Sequence, residues 1–220
     1  MCGARCFRLA GASAPSPNRR PGGRVLPGPL GVDDVDDLQA LAAADATQPP
    51  PVSVPSTTRV NGTEITVLPD GYADEVHGAR TSFDMSAGTT PGYEFGADGR
   101  ITKLSGPIPV VSASIQTAYG PGHQATDLSG YGRGTTAEDK QAGNVTLGFH
   151  ESCHRGDYLE YVGAHAVPVF GGKPGQTEGE YKQATKEYFA AVKAYRSQVE
   201  RFSAARTDEV GSPPKSRYRE

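Results

Sequence analysis

The sequence predicts an α+β fold, a small antiparallel β meander followed by two long helices, and three observations predict it. An Asn61-Gly62 turn stands between two β-prone runs, which is the strongest short-range hairpin signal. Two later stretches open on Thr with Glu three residues on, the pattern of a capping box. Between the two halves the apolar spacing changes from alternation to steps of three and four.

In chain order, residues 1–55 read as a leader and linker. Five Arg and no acid fall in residues 1–31, an acidic run follows from Asp33 to Asp37, and Gln48-Pro49-Pro50-Pro51 closes the linker. The leader has no continuous apolar core, so it is not a recognisable signal peptide; a disordered leader, a transit peptide and an upstream start codon remain open. A domain is expected over 56–211, with 212–220 as a polar, Pro-broken tail. Within it, Thr58-Arg59-Val60 and Thr63 to Leu68 form the first hairpin. Ala97-Asp98-Gly99 turns Tyr93-Glu94-Phe95 into Arg100 to Leu104. Val110 to Tyr119 is expected as the last, edge-like strand, and the polar stretch Gly120 to Gly134 as a functional rim. Thr135 with Glu138 should cap a helix running to about Val162, kinked near Gly143. Thr177 with Glu180 should open a second helix whose Tyr181, Ala184, Tyr188, Ala191 and Tyr195 share one face and pack on the first.

Composition narrows the function classes. With 22 Lys+Arg against 25 Asp+Glu, the net charge of -3 lacks the positive field that phosphate binding needs, so no nucleic-acid partner is expected. No run approaches the ~18 apolar residues of a bilayer span, which predicts a soluble chain, cytoplasmic or exported by a non-classical route. Cys2, Cys6 and Cys153 make no disulfide framework.

The chemistry is carried by His150-Glu151-Ser152-Cys153-His154 inside the first long helix, an H-E-x-x-H in helical setting. Four residues turn through about 400°, so both imidazoles leave one face and suit a tetrahedral Zn²⁺, one per chain. Glu151 lies about 100° round, placed to take a proton from metal-activated water and return it to a leaving amine. Cys153 points elsewhere and reads as an inert thiol.

Together the motif helix, the preceding strands and the following helix resemble the zincin metallopeptidases. The wider segment, Gly148 to Leu159 followed by Pro168 to Lys173, resembles an uncharacterised bacterial H-E-x-x-H family. The resemblance implies a hydrolase that cleaves peptide or protein substrates, with Glu151 catalytic and His150 and His154 on zinc. It spans roughly residues 57–211 in layout and carries over only those three residues. The sequence departs from both common third-ligand patterns, lacking H-E-x-x-H-x-x-G-x-x-H and a clear Glu-x-x-x-Asp.

The third ligand is therefore argued from position. Asp157, seven residues after His150, returns to the same face, as a ligand if Gly156 breaks the helix, or as a partner of a ligating imidazole if the helix is straight. Asp208 becomes available if the second helix brings its end back to the site. His123, Tyr131, Tyr158 and His165 are candidate contacts to substrate or transition state. The alternative to an enzyme is a zinc-stabilised interaction or effector-accessory module without catalysis, distinguished by a closed site of four protein ligands.

Overall fold

In the computed structural model the described residues are 51–214; the leader and most of the linker, and the tail from residue 215, lie outside them. The first hairpin forms as the sequence predicts. Strands β1 (Ser56–Val60) and β2 (Thr63–Val67) pair antiparallel across Asn61 and Gly62, whose φ values of 48° and 79° are the left-handed pair such a turn requires. A two-residue β3 (Gly71–Tyr72) and the eight-residue β4 (Ala79–Ser86) follow. The second predicted hairpin also forms, as β5 (Gly92–Phe95) and β6 (Ile101–Ser105), but it stands as a separate two-stranded sheet.

The α+β class holds, whereas the meander does not. Strand β7 (Ser112–Tyr119) lies in the middle of a five-stranded mixed sheet, parallel to β2 and β3 and antiparallel to β4. The excursion from β2 through β6 is long enough to act as a crossover, so β7 can return beside β2 in the same direction. The expectation that residues 110–119 form the edge is thus corrected. Among the described residues β4 pairs with no strand other than β7.

One face of the sheet is apolar because alternate residues point the same way. Ile65, Phe83, Ala113 and Ile115 meet Tyr158, Tyr161 and Val162 of one helix and Tyr195 and Val199 of the next. The predicted first helix is two. Helix α1 (Ala137–Gln141) is capped by Thr136, not Thr135, because the Thr135 hydroxyl is taken by the Gly132 carbonyl at 2.7 Å. Gly143 at φ 74° ends it, and Thr146 caps α2 (Leu147–Ala164), the motif helix, which runs unbroken through Gly156.

The predicted capping box of Thr177 and Glu180 opens α3 (Glu178–Ser203), 26 residues or roughly 39 Å long. Its buried face is Tyr181, Tyr188, Val192, Tyr195 and Val199; Ala184 is half-buried and Ala191 exposed, because the stripe repeats closer to every seven residues along a long helix. The first half of this face closes a second apolar cluster with Ile101, Val111 and Phe170 beneath the β5–β6 sheet. Helix α3 leads directly into a π-helical turn, Ala204–Asp208. No helix among the described residues is long and apolar enough to cross a membrane.

Candidate metal centre

The motif places two imidazoles and a carboxylate in the interior. His150, Glu151 and His154 are 0%, 2% and 8% exposed, which no solvated helix face would show. Both histidines are oriented through Nδ1. His150 Nδ1 sits 3.0 Å from the Arg133 carbonyl, and since a carbonyl only accepts, the proton belongs on that nitrogen and Nε2 carries the lone pair. His154 Nδ1 lies 2.7 Å from the buried Ser203 hydroxyl at the last turn of α3.

Asp208 supplies the third group. Its Oδ1 is 3.1 Å from His154 Nε2 and 3.2 Å from His150 Nε2, and the ligand atoms of all three residues lie within 4.8 Å of one another. The π-helical turn produces this placement: an extra residue per turn shifts the side-chain direction at the end of α3 and brings Asp208 back over α2. The turn is held from the other side by Arg133 N, which donates to the Thr207 carbonyl at 2.7 Å.

The loop between β7 and α1 covers the His150 side. Amides at the start of α2 donate to it, Leu147 N to Asp127 O and Gly148 N to Ala125 O, so the loop and the helix N-terminus satisfy each other. Arg133 is fixed by a two-pronged pair with buried Asp139, at 2.8 to 3.2 Å, and Gly134 N reaches the same carboxylate at 2.8 Å. Burial works to raise the Asp139 pKa, but the guanidinium and amide outweigh it and the net shift is down. Gly132, at φ 61°, packs so closely that a Cβ there would collide with the Thr207 carbonyl and come within 2.9 Å of His150 Cε1.

The donor set fits a divalent metal. His150 Nε2 is buried with no well-formed hydrogen bond, its approach to Asp208 being off line, and Glu151 Oε2 is likewise buried and unpartnered. Two imidazole nitrogens and one carboxylate are the ligands of zinc sites that keep a further position open. Burial disfavours the cationic form of His150, yet Asp208, Glu151 and the Arg133 carbonyl reverse this and raise its pKa. The Asp208 carboxyl, which burial alone would raise, is held far below the usual carboxylate range by the two imidazoles.

A cleft of about 270 Å³ opens on this centre, lined by Glu151, His154, Tyr131, Tyr158 and Asp208 on one side and by Ala79 to Phe83 of β4 on the other. Tyr131 tilts over the His150 ring with centroids 4.9 Å apart. The Tyr158 hydroxyl donates to the Thr81 carbonyl at 3.2 Å, and Thr81 Oγ1 approaches the Glu151 carbonyl at 3.3 Å, so the motif helix and strand β4 are tied together. Burial, foremost among its causes, keeps the Tyr158 phenol well above its ordinary pKa and therefore a proton donor.

Other expectations resolve differently. Asp157 lies outside the group of three clustered ligand atoms; on the straight helix its carboxylate accepts from Ser203 and Thr207 and pairs with Arg206, and Ser203 links it to His154. His123 lies in an exposed turn 3.3 Å from Asp127, away from the cleft lining. His165 ends α2, about 16 Å of helix rise beyond His154, where it stacks on Tyr161 with centroids 4.0 Å apart. Neither lines the cleft. Cys153 is free and half-buried, its thiol pushed up to about 11 by burial, as an inert thiol should be.

Asp139, Ser203 and Thr207 support the site without being singled out in the sequence, and Arg133 is marked there only as part of the polar rim from Gly120 to Gly134. The Gly130-x-Gly132-x-Gly134 spacing is the local signal that could have pointed to this loop, since left-handed backbone at Gly132 and Gly134 lets it approach the helix. No protein-family model, curated protein or solved structure matches this chain.

Proposed function

We propose that this protein is a zinc-dependent peptidase in which His150, His154 and Asp208 hold the metal and Glu151 moves the proton. The carrying observation is the Glu151 carboxylate, 2% exposed with Oε2 unpartnered, lining the same cleft as two members of the ligand group. A buried carboxylate oxygen left without a hydrogen bond is costly unless another group, such as a bound water, comes to it.

Zinc at this centre would supply Lewis acidity toward water and toward a substrate carbonyl. The remaining work belongs to the chain. Glu151 accepts a proton as water adds to the carbonyl carbon, then delivers it to the amine nitrogen as the C–N bond breaks. Strand β4, which lines the cleft and among the described residues pairs with no strand but β7, offers main-chain groups to an extended peptide at positions other than Thr81, whose carbonyl accepts from Tyr158 and is fixed by it. Tyr131, whose ring tilts over His150 and lines the cleft, would donate to oxygen charge developing on the carbonyl.

A metal site of purely structural use would close with four protein ligands, and among the described residues this group has three. The test is elemental analysis of protein purified without chelator, together with mass-spectrometric screening of a peptide library. Near one zinc per chain, lost in His150→Ala and Asp208→Ala but kept in Glu151→Gln, with library cleavage abolished only by the last among metal-retaining variants, is the expected result. A wild type that takes up no zinc after reconstitution would sink the reading; zinc without any cleavage would leave the structural alternative.

A further inference from the structure

Among the described residues, the hydrogen-bond and ion-pair partners of the buried Asp157 carboxylate lie in one short segment, residues 203–207, that immediately precedes the third ligand. Oδ2 accepts from Ser203 Oγ at 3.3 Å and from Thr207 Oγ1 at 2.9 Å, and Oδ1 pairs with Arg206 Nε at 3.0 Å. Ser203 and Thr207 are 0% and 1% exposed, so neither hydroxyl has water to turn to. Asp157 itself stands three residues after His154 on α2, on the neighbouring part of the same face.

We infer that Asp157 is a positioning residue that sets two of the three metal ligands at once, His154 through Ser203 and Asp208 through Thr207. This rests on the metal centre proposed above. Ser203 has one hydroxyl proton. Directed to Asp157, it leaves an oxygen lone pair facing His154 Nδ1, 2.7 Å away, which must then carry the imidazole proton and free Nε2 for metal. Thr207 is the residue before Asp208, and its hydroxyl on Asp157 holds the widened turn that aims the third carboxylate. The same acid thus fixes a tautomer on one element and a backbone direction on another. An Asn cannot replace it: with its oxygen toward Ser203 and Thr207 its NH₂ faces Arg206, and with the amide reversed the two hydroxyls lose their acceptor.

The test measures zinc affinity by competition with a chromophoric chelator, on variants that circular dichroism shows to be folded at the assay temperature. Asp157→Asn should weaken zinc by about 10- to 100-fold, the range for outer partners of metal ligands. Ser203→Ala and Thr207→Val should each weaken it less, their double should approach Asp157→Asn, and adding Asp157→Asn to the double should change little more. Glu160→Gln, which removes only the exposed second partner of Arg206, should leave affinity unchanged. Cobalt(II) substitution gives a readout that lost stability alone would not move: the visible ligand-field bands should shift in Asp157→Asn and not in Glu160→Gln. If Asp157→Asn does not fold, Ser203→Ala and Thr207→Val carry the same comparison. Folded variants that bind zinc as tightly as wild type with unchanged cobalt bands overturn the inference alone; a wild type that binds neither metal overturns the metal centre and this inference with it.

Discussion

At the scale of residues, the site depends on a small number of close contacts. Gly132 is the clearest, because a methyl group there would meet the Thr207 carbonyl and the His150 ring at a φ of 61°. Gly132→Ala should cost about 1–3 kcal/mol from backbone strain, more if the loop shifts. It should also weaken zinc binding, since the displaced groups are the turn before Asp208 and a ligand. Thermal melts with and without zinc check both effects, and unchanged affinity would count against the tight approach. The His150–Asp208 pair gives the metal-free protein a distinct pH response. His150 is raised, so its share of stability is complete below the unfolded imidazole value of roughly 6.5 and is lost as pH rises through the folded value. Asp208 is lowered, so its share is complete above an unfolded value of roughly 3.9 and is lost as pH falls through its depressed value. The two shifts describe one interaction and are not summed. With zinc the sign at His150 inverts, because metal must displace its proton. Chelated protein should therefore lose melting temperature, and zinc-loaded protein gain it, between pH 6 and 8; parallel curves would contradict the ligand role.

At the scale of elements, the π-helical turn decides the third ligand. Deleting the exposed Ala205 should restore α-helical spacing and rotate Asp208 by about 100° away from the two imidazoles. The prediction is a folded variant with zinc affinity reduced toward that of Asp208→Ala, read by chelator competition; retained affinity would show that the turn is dispensable. This element also explains what the sequence could and could not reveal. His150, Glu151 and His154 were legible because helical spacing alone brings the two imidazoles to one face. Thr177 with Glu180 was legible because a capping box is local. Asp208 stayed open because its direction depends on one extra residue in a turn stabilised by Asp157 and Arg133, neither of them close in sequence. The one-residue error between Thr135 and Thr136 has the same origin, since a contact to Gly132 diverts the first hydroxyl. Five of the seven strands were readable from turns and alternation, but β3 and β4, which no tight-turn signal flanks, were not expected. The position of β7 was not readable because four intervening strands separate it from β2.

At the scale of the whole molecule, the metal would join the middle of α2 to the end of α3 across more than fifty residues of chain. A ligand that binds only the folded state stabilises it by about 2.7–4.1 kcal/mol at 100 to 1,000 times its dissociation constant. For a domain of this size that is on the order of 10 °C in melting temperature. Differential scanning fluorimetry with zinc, then with excess chelator, should show a gain of that order and its reversal; no movement in either direction would argue against a folded-state site. The central place of β7 has a further consequence for how the chain comes to fold during synthesis. Three of the sheet's pairings, to β2, β3 and β4, wait for a strand made after all of them. A nascent chain that stops at residue 111 can close its two hairpins and little else, so its apolar strand faces stay uncovered until β7 and the two long helices emerge. Such a chain is the stage most in need of a chaperone.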